Sequence, residues 1–300
     1  MKWQDRRRSS HVEDRRGQRV AGGSSRAGGG AGLIFALLAR SSPRARVVII
    51  LAAFVAMFVF KVSPLALLGG GSGTPATVQE APAPDDELAA FLATMKADNE
   101  DVWTRIFAAR GQTYRPAELV IYSDRTPMPG GLADSRMGPF YLPANATVYI
   151  DPDFFQEMKS RFGAPGDFAQ AYVVAHEIGH HVQHLLGSTD RVHEQRGRVS
   201  EEEYNRLSVR LELQADFLAG VFAHHADEMF SFLETGDIEE AMNCARAIGD
   251  DTLQRQAGRR VVPDSFTHGT SAQRSRWFMK GYRTGDMDAG DTFGIPYDEL

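Results

Sequence analysis

From residue 87 onward, apolar side chains recur at three- and four-residue steps, and this spacing predicts amphipathic helices. Short runs rich in β-branched and aromatic residues predict strands at 119–122, 140–142 and 147–150, the last two pairing through a turn at Pro143. The segments predicted to be helical are residues 87–109, 153–162, 172–185, 207–222 and 238–245. Long helices and few short strands together predict a helix-dominated α+β domain over residues 87–300.

The first 86 residues lack this periodicity, and their composition divides them into three parts. Residues 1–46 hold eleven Lys and Arg side chains against three acidic ones, which is typical of a disordered basic tail. Residues 47–60 carry no polar side chain, and residues 47–68 would form about 33 Å of helix, enough to cross a bilayer core of about 30 Å. Residues 69–86, rich in Gly and Pro, are predicted to be a flexible linker.

These segments predict a single-pass protein of the cell membrane, with a cytoplasmic N-terminus and an extracytoplasmic, periplasmic domain. A signal peptide is an alternative for the apolar segment, but the basic region is unusually long and no convincing cleavage site follows. A buried core helix fits less well, because both flanks are rich in Gly, Ser and Pro. The part after the apolar segment has 21 basic and 36 acidic side chains, a net charge of −15, which argues against a nucleic-acid partner. The oligomeric state stays open.

His176, Glu177 and His180 form the pattern with the clearest chemical meaning, inside a predicted helix. Two histidines four residues apart lie one turn apart on the same helix face, so both imidazoles can reach one metal ion. The carboxylate of Glu177 then lies where it can act as general base on a water molecule. This HExxH spacing indicates a zinc metallopeptidase, although an amphipathic helix with solvated histidines is the alternative.

A catalytic zinc site needs a third protein ligand and one open position. The extended pattern HExxHxxGxxH does not fit, because Gln183 and Leu186 stand at its glycine and its last histidine. His184 lies about 12 Å along the helix axis from His176, too far for both to bind one ion together with His180.

The remaining candidate for the third ligand is Glu212, on a predicted helix that Ser200 begins with a capping box. Asp216 lies four residues later on the same face, where it can accept a hydrogen bond from a ligand histidine. The alternative is that Glu212 pairs with a nearby arginine, Arg206 or Arg210.

The pattern HExxH followed by Glu-x-x-Ala-Asp at 212–216 resembles the thermolysin-like glutamate-zincins, which include membrane-bound proteases that cleave prenylated or misfolded proteins. Over nearly the whole chain the sequence resembles the neutral zinc metallopeptidase family of bacteria. Besides these two motifs, the matching segments are Lys-Trp-Gln at 2–4, Val-Glu-Asp-Arg-Arg-Gly at 12–17, Gly-Pro-Phe-Tyr at 138–141, Tyr-Ile-Asp at 149–151 and Phe-Thr-His-Gly-Thr-Ser at 266–271.

The resemblance implies a zincin-like fold and a membrane-tethered peptidase with Zn²⁺ bound by His176, His180 and Glu212. It also implies that His268 contacts the transition state, as a donor to the developing oxyanion. The alternative for His268 is a packed residue beside a helix cap at Thr270 or Ser271.

The cysteine content departs from the family pattern. That pattern places cysteines where this chain has Leu142, Phe217 and Gly290, and the sole cysteine here is Cys244. No internal disulfide is therefore possible. Cys244 lies in the predicted helix 238–245 and is expected to be a small buried apolar residue without a further assigned role.

The sequence therefore predicts a membrane-anchored zinc metalloendopeptidase that acts on envelope proteins or peptides, with Glu177 as general base and His268 as a further catalytic residue. A non-catalytic, zinc-stabilised interaction module is the alternative, but it leaves Glu177 without a purpose, and structural zinc sites usually have four ligands including cysteine. A latent protease that a partner must open is a third possibility. The substrate and its cleavage specificity are not predicted.

Overall fold

The computed structural model describes residues 1–18, 86–161, 163–258 and 260–300. Helices dominate this part of the chain: α1 (Glu87–Ala109), α2 (Asp153–Ser160), α3 (Asp167–Leu185), α4 (Ser188–His193), α5 (Glu201–Phe230), α6 (Asp237–Ala247), α7 (Asp250–Gln256) and α8 (Ser271–Thr284). Short 3-10 segments are Ser135–Met137, Pro143–Asn145, Pro263–Ser265, Met287–Gly290 and Tyr297–Glu299. The bounds predicted for α1 are confirmed at both ends. The predicted cap of α5 is confirmed as well, because the Ser200 side chain accepts a hydrogen bond from the backbone N–H of Glu203.

The strands of the described residues form a mixed sheet in the order β1-β2-β6-β5 and a separate hairpin of β3 and β4. Their bounds are β1 (Val12–Asp14), β2 (Glu118–Ile121), β3 (Arg125–Met128), β4 (Gly131–Asp134), β5 (Phe140–Leu142) and β6 (Thr147–Ile150). Strands β1, β2 and β6 are parallel, whereas β5 pairs with β6 in antiparallel register, with Tyr141 opposite Val148. The predicted pairing of β5 and β6 is confirmed, and β5 is an edge strand.

Residues 1–18, the N-terminal arm, fold onto the same compact unit as residues 86–300. Trp3 is buried against Phe91 of α1, with their ring centroids 5.3 Å apart. The arm then adds β1 to the sheet beside β2. The prediction of a disordered basic tail is therefore wrong for residues 1–18, because their charges are paired with the domain instead of being solvated.

Acidic groups of α1 pair with the basic side chains of the N-terminal arm. The guanidinium of Arg6 lies 2.7 Å from a carboxylate oxygen of Asp98, and that of Arg7 lies 2.7 Å from Asp101. At the end of the arm, Arg16 lies 2.5 Å from Asp86, the residue that caps α1. Composition alone could not reveal this arrangement, because the partners are more than sixty residues away in the sequence.

Helices α5 and α8 lie in direct backbone contact at two glycines. A Cβ atom on Gly281 would lie 2.0 Å from the carbonyl oxygen of Phe217, and one on Gly220 would lie 2.1 Å from that of Phe278. No side chain fits in either place, so the two glycines set how closely these helices approach. This contact places Arg274 of α8 against Asp216 of α5.

A helix-dominated α+β architecture with a small sheet is confirmed for the described residues. Among their helices none is both long and apolar enough to cross a membrane. The predicted membrane segment, residues 47–68, and most of the predicted linker lie outside the described residues. The N-terminal arm and the domain form one unit, and the predicted orientation across a membrane stays a prediction.

Candidate metal centre

Helix α3 carries the HExxH residues on the side that faces α5. His176 and His180 are one turn apart, with their ring centroids 4.8 Å from each other. Gly179 lies between them, and a Cβ atom there would approach the carbonyl oxygen of Ala215 to 3.0 Å. The small residue in the motif therefore lets α3 lie against the α5 backbone, one turn from Glu212.

Glu212 of α5 turns its carboxylate to both histidines. Its Oε2 lies 3.2 Å from Nε2 of His176, and its Oε1 lies 3.5 Å from Nε2 of His180. One ligand atom from each of the three residues lies within 4.8 Å of the other two. Arg206 and Arg210, the alternative partners, pair with Glu202 and with the carbonyl of Ile295. The structure thus brings together the three ligands that the sequence predicts.

Asp216 fixes the outer nitrogen of His176. Its Oδ1 lies 2.9 Å from Nδ1 of His176 and also accepts a hydrogen bond from the hydroxyl of Tyr172. The guanidinium of Arg274 donates to both carboxylate oxygens, from Nε at 2.8 Å and from Nη2 at 3.0 Å. Tyr172, Asp216 and Arg274 are all buried, so the charge of Arg274 compensates a carboxylate that water cannot reach.

Gln183 fixes the outer nitrogen of His180, as Asp216 fixes that of His176. Its Oε1 lies 2.9 Å from Nδ1 of His180, and its amide nitrogen donates to the carbonyl of Leu211 at 2.7 Å. This fully buried amide therefore links a histidine of α3 to the residue before Glu212 on α5. Sequence reasoning used Gln183 only to reject the extended motif, and the signal for its role is its position three residues after His180.

The protonation of the metal-free site is set by these partners. Burial alone would lower the pKa of His176, but the charge and hydrogen bond of Asp216, with Glu212, raise it to about 10. The pKa of His180 is also raised, because the charge of Glu212 outweighs its burial. Burial would raise the pKa of Glu212, but the charges of His180 and His268 and the hydrogen bonds of both ligand histidines hold it well below its usual range. The lowered pKa keeps Glu212 in the carboxylate form, which is the form that binds a cation.

The donor set fits Zn²⁺. Two imidazole nitrogens and one carboxylate converge with their free atoms inward, and the outer nitrogen of each histidine is occupied by a fixed acceptor. Three protein ligands would leave a fourth position for water or substrate. The arrangement matches a catalytic zinc site better than a closed structural one.

Glu177 lies on the wall of a cleft that contains these ligands, with a volume of about 480 Å³. It is 7 % exposed, and the apolar side chains of Val173 and Phe154 line the same cleft. The carboxylate expected to act as general base is therefore buried beside the candidate ligands.

His268 reaches the same cleft from the loop between α7 and α8. Its ring is 49 % exposed, and its Nδ1 lies 3.2 Å from Oδ1 of Asp250. The other oxygen of Asp250 accepts hydrogen bonds from the backbone N–H groups of Thr267, His268 and Gly269, at 2.7, 2.6 and 3.2 Å. Asp250 begins α7 and also holds the His268 loop. The predicted cap at Thr270 is present too, as a capping box with Gln273.

Strand β5 forms another wall of the cleft through Phe140 and Tyr141. The hydroxyl of Tyr141 donates to Nδ1 of the buried His181, whose Nε2 donates to the carbonyl of Arg115 at 2.6 Å. Burial lowers the pKa of His181 to about 4, so this ring stays neutral and acts as a structural link. It joins the edge strand to the helix that carries the candidate metal ligands.

Two further residues lie apart from this chemistry. Cys244 is buried in α6, as predicted, and burial raises the pKa of its thiol to about 12. Asn145 donates a hydrogen bond from its side-chain amide to the hydroxyl of Tyr149, which agrees with a structural turn residue.

The family model described as "Putative neutral zinc metallopeptidase" matches residues 1–293 of the chain. The chain is similar to uncharacterized protein YpfJ of Escherichia coli K12, with 45% identity over 98% of this chain and 99% of that protein. It is also similar to uncharacterized protein Rv2575 of Mycobacterium tuberculosis H37Rv, with 42% identity over 60% of this chain and 63% of that protein. No solved structure gave a significant match.

Proposed function

Because this chain belongs to the neutral zinc metallopeptidase family, we propose that it is a zinc metalloendopeptidase that hydrolyses peptide bonds of envelope proteins or peptides. The observation that supports this proposal is a His/His/Glu donor set in one cleft with a further carboxylate, Glu177. A purely structural metal site would have no use for that carboxylate or for an open cleft beside the ligands.

The chain supplies the proton-transfer groups of this reaction. A zinc ion held by His176, His180 and Glu212 would lower the pKa of a water molecule and polarise the peptide carbonyl. Glu177 accepts the proton of the attacking water and later delivers it to the leaving amine. Asp216 and Gln183 hold the two imidazoles in the orientation that binding requires.

His268 is proposed to stabilise the charge that develops on the carbonyl oxygen. Asp250 holds the loop and the Nδ1 atom of His268, so Nε2 of His268 is the nitrogen that is free to donate into the cleft. The charge of Glu212 and the hydrogen bond from Asp250 raise the pKa of His268 against the opposing effect of burial, which favours the donor form. An extended peptide would lie along the edge strand β5 through main-chain hydrogen bonds.

Attachment to the cell membrane through residues 47–68 is part of the proposal, on the strength of their apolar sequence. The N-terminal arm and the cleft would lie on the same face of that membrane, because they belong to one compact unit. Substrates would then be proteins or peptides that reach the surface of the membrane on that side.

The test compares the full-length protein with Glu177→Gln and with Glu157→Gln, a control at an exposed position of α2. We expect Glu177→Gln to retain zinc by metal analysis and to lose peptide hydrolysis by about 10²-fold or more, since it removes the general base. Glu157→Gln should behave as the unmodified chain. Unchanged hydrolysis in Glu177→Gln would remove Glu177 from the mechanism, and a protein that binds zinc but cleaves no peptide library would favour the interaction module.

A further inference from the structure

A second group of metal-ligand side chains lies at the C-terminal end of α5, formed by His224, His225 and Glu228. One ligand atom from each residue lies within 4.8 Å of the other two. Nε2 of His224 is 3.5 Å from one carboxylate oxygen of Glu228, and Nδ1 of His225 is 3.3 Å from the other. Adjacent helix residues ordinarily point in different directions, so the sequence alone does not indicate a shared site at 224 and 225.

Backbone carbonyls orient both imidazoles from the outside. Nδ1 of His224 lies 2.8 Å from the carbonyl oxygen of Tyr282, and Nε2 of His225 lies 2.9 Å from that of Gly285. A carbonyl oxygen only accepts, so each of these nitrogens carries the hydrogen. In a neutral imidazole the opposite nitrogen then offers its lone pair, and in both rings that nitrogen faces Glu228. Outer hydrogen bonds of this kind are the usual support of metal-binding histidines.

The C-terminal end of α8 is shaped to fit this cluster. Gly285 ends the helix with φ +59°, and a Cβ atom at that position would lie 2.5 Å from Nε2 of His224. Only glycine therefore allows the carbonyl of residue 285 to bind His225 while the ring of His224 stays in place. Two helices thus supply the histidines and their outer acceptors.

From this geometry we propose that His224, His225 and Glu228 bind a second divalent transition-metal ion. Two imidazoles and one carboxylate suit Zn²⁺, with Co²⁺, Ni²⁺ or Cu²⁺ as competitors for the same donors. Glu228 is 53 % exposed, so the ion would keep open positions toward solvent. The site is separate from the first one: residues 212 and 224 are twelve positions apart on α5, or about 18 Å along its axis. A bound ion would tie the end of α5 to the end of α8 through the carbonyls that hold the two rings.

The test removes the ligand nitrogens while keeping the outer hydrogen bonds. In His224→Asn the amide nitrogen replaces Nδ1 as donor to residue 282, and in His225→Gln it replaces Nε2 as donor to residue 285. The full-length protein is stripped with chelator, dialysed against micromolar zinc, and its bound zinc is counted by mass spectrometry. His11→Asn is the matched control, because Nδ1 of His11 also lies near a carboxylate, 2.9 Å from Glu118, without a third ligand.

We expect the double variant His224→Asn/His225→Gln to hold one zinc ion fewer than the unmodified chain, and His11→Asn to hold the same number. Glu228→Gln, which disturbs no backbone contact, should weaken the binding of the same ion about tenfold or more. In a His176→Ala/His180→Ala background, zinc should still raise the melting temperature. Adding His224→Asn/His225→Gln to that background should abolish the rise. Equal zinc counts with and without the two histidines, or no zinc-dependent stabilisation in that background, would overturn the proposal and leave the first metal centre unaffected.

Discussion

Arg274 binds both carboxylate oxygens of Asp216, through Nε at 2.8 Å and Nη2 at 3.0 Å. The pair is buried between α5 and α8, and the same carboxylate accepts hydrogen bonds from His176 and Tyr172. Burial would raise the pKa of Asp216, but the charges of Arg274 and His176 lower it to about 2. The outer partner of the candidate ligand His176 is thus a permanent anion, and its counter-ion comes from a helix that supplies no ligand.

Arg274→Met should therefore weaken zinc binding although residue 274 is not a ligand. The change leaves a buried carboxylate without its counter-ion, which typically costs about 3–5 kcal/mol of folding free energy. Loss of such outer support lowers metal affinity by about 10–100-fold. We expect both effects in chelator competition and in denaturant unfolding. Arg274→Lys should recover part of the affinity, and Arg276→Met, at an exposed position of the same helix, should change neither quantity. Full zinc affinity in Arg274→Met would show that Asp216 holds His176 without help.

Gln183→Met should remove the outer support of His180 and leave that of His176 in place. The substitution keeps the length of the side chain, but removes the acceptor at His180 and the donor to Leu211. We expect about tenfold weaker zinc binding and a loss of about 1–3 kcal/mol of folding free energy, since Nδ1 of His180 loses its acceptor. Gln170→Met, the other glutamine of α3, is the control and should keep its zinc affinity. An unchanged affinity in Gln183→Met would mean that the helix backbone alone orients His180.

The sequence predicts best the elements whose pattern is local. Helices α1, α3 and α5 carry apolar stripes, α1 and α5 are capped by Asp86 and Ser200, and the ligand triad follows from the spacing within α3 and α5. The contact of Gln183 with Leu211 and the role of Asp250 could not be found in this way, because their partners lie 28 and 18 residues away. Strand β1 was missed for a similar reason, since three residues in a basic segment become a strand only beside β2.

Zinc binding should release protons, because the metal requires neutral imidazoles. The metal-free pKa of His176 is about 10, so this ring is protonated at pH 8 and must lose its proton when zinc binds. Affinity should consequently rise with pH by at least about tenfold per unit up to about pH 10. Without zinc, the protonated ring of His176 also stabilises the fold. This contribution to the free energy of unfolding is fully present below a pH of about 6.5 and disappears as the pH rises toward 10.

Calorimetric titration with zinc at pH 8, repeated in buffers of different ionisation enthalpy, counts the released protons. We expect at least one per ion from this site. Asp216→Asn should release fewer, because it removes the charge that raises the pKa of His176. Zinc binding without proton release at pH 8 would contradict the assigned protonation.

The N-terminal arm should lie on the same side of the membrane as the metal centre. Lys2 donates its backbone N–H to the carbonyl of Phe232 at 2.8 Å, and Arg16 pairs with Asp86, so both ends of the arm are fixed to the domain. Single cysteines at two exposed positions, Ser10→Cys in the arm and Glu201→Cys at the start of α5, report on this in intact cells. The native Cys244 is buried and should not interfere. We expect a membrane-impermeant maleimide to label both cysteines or neither before lysis, and both after it. Labelling of one alone in intact cells would place the arm and the domain on opposite sides, and the single crossing predicted from the sequence would then hold instead.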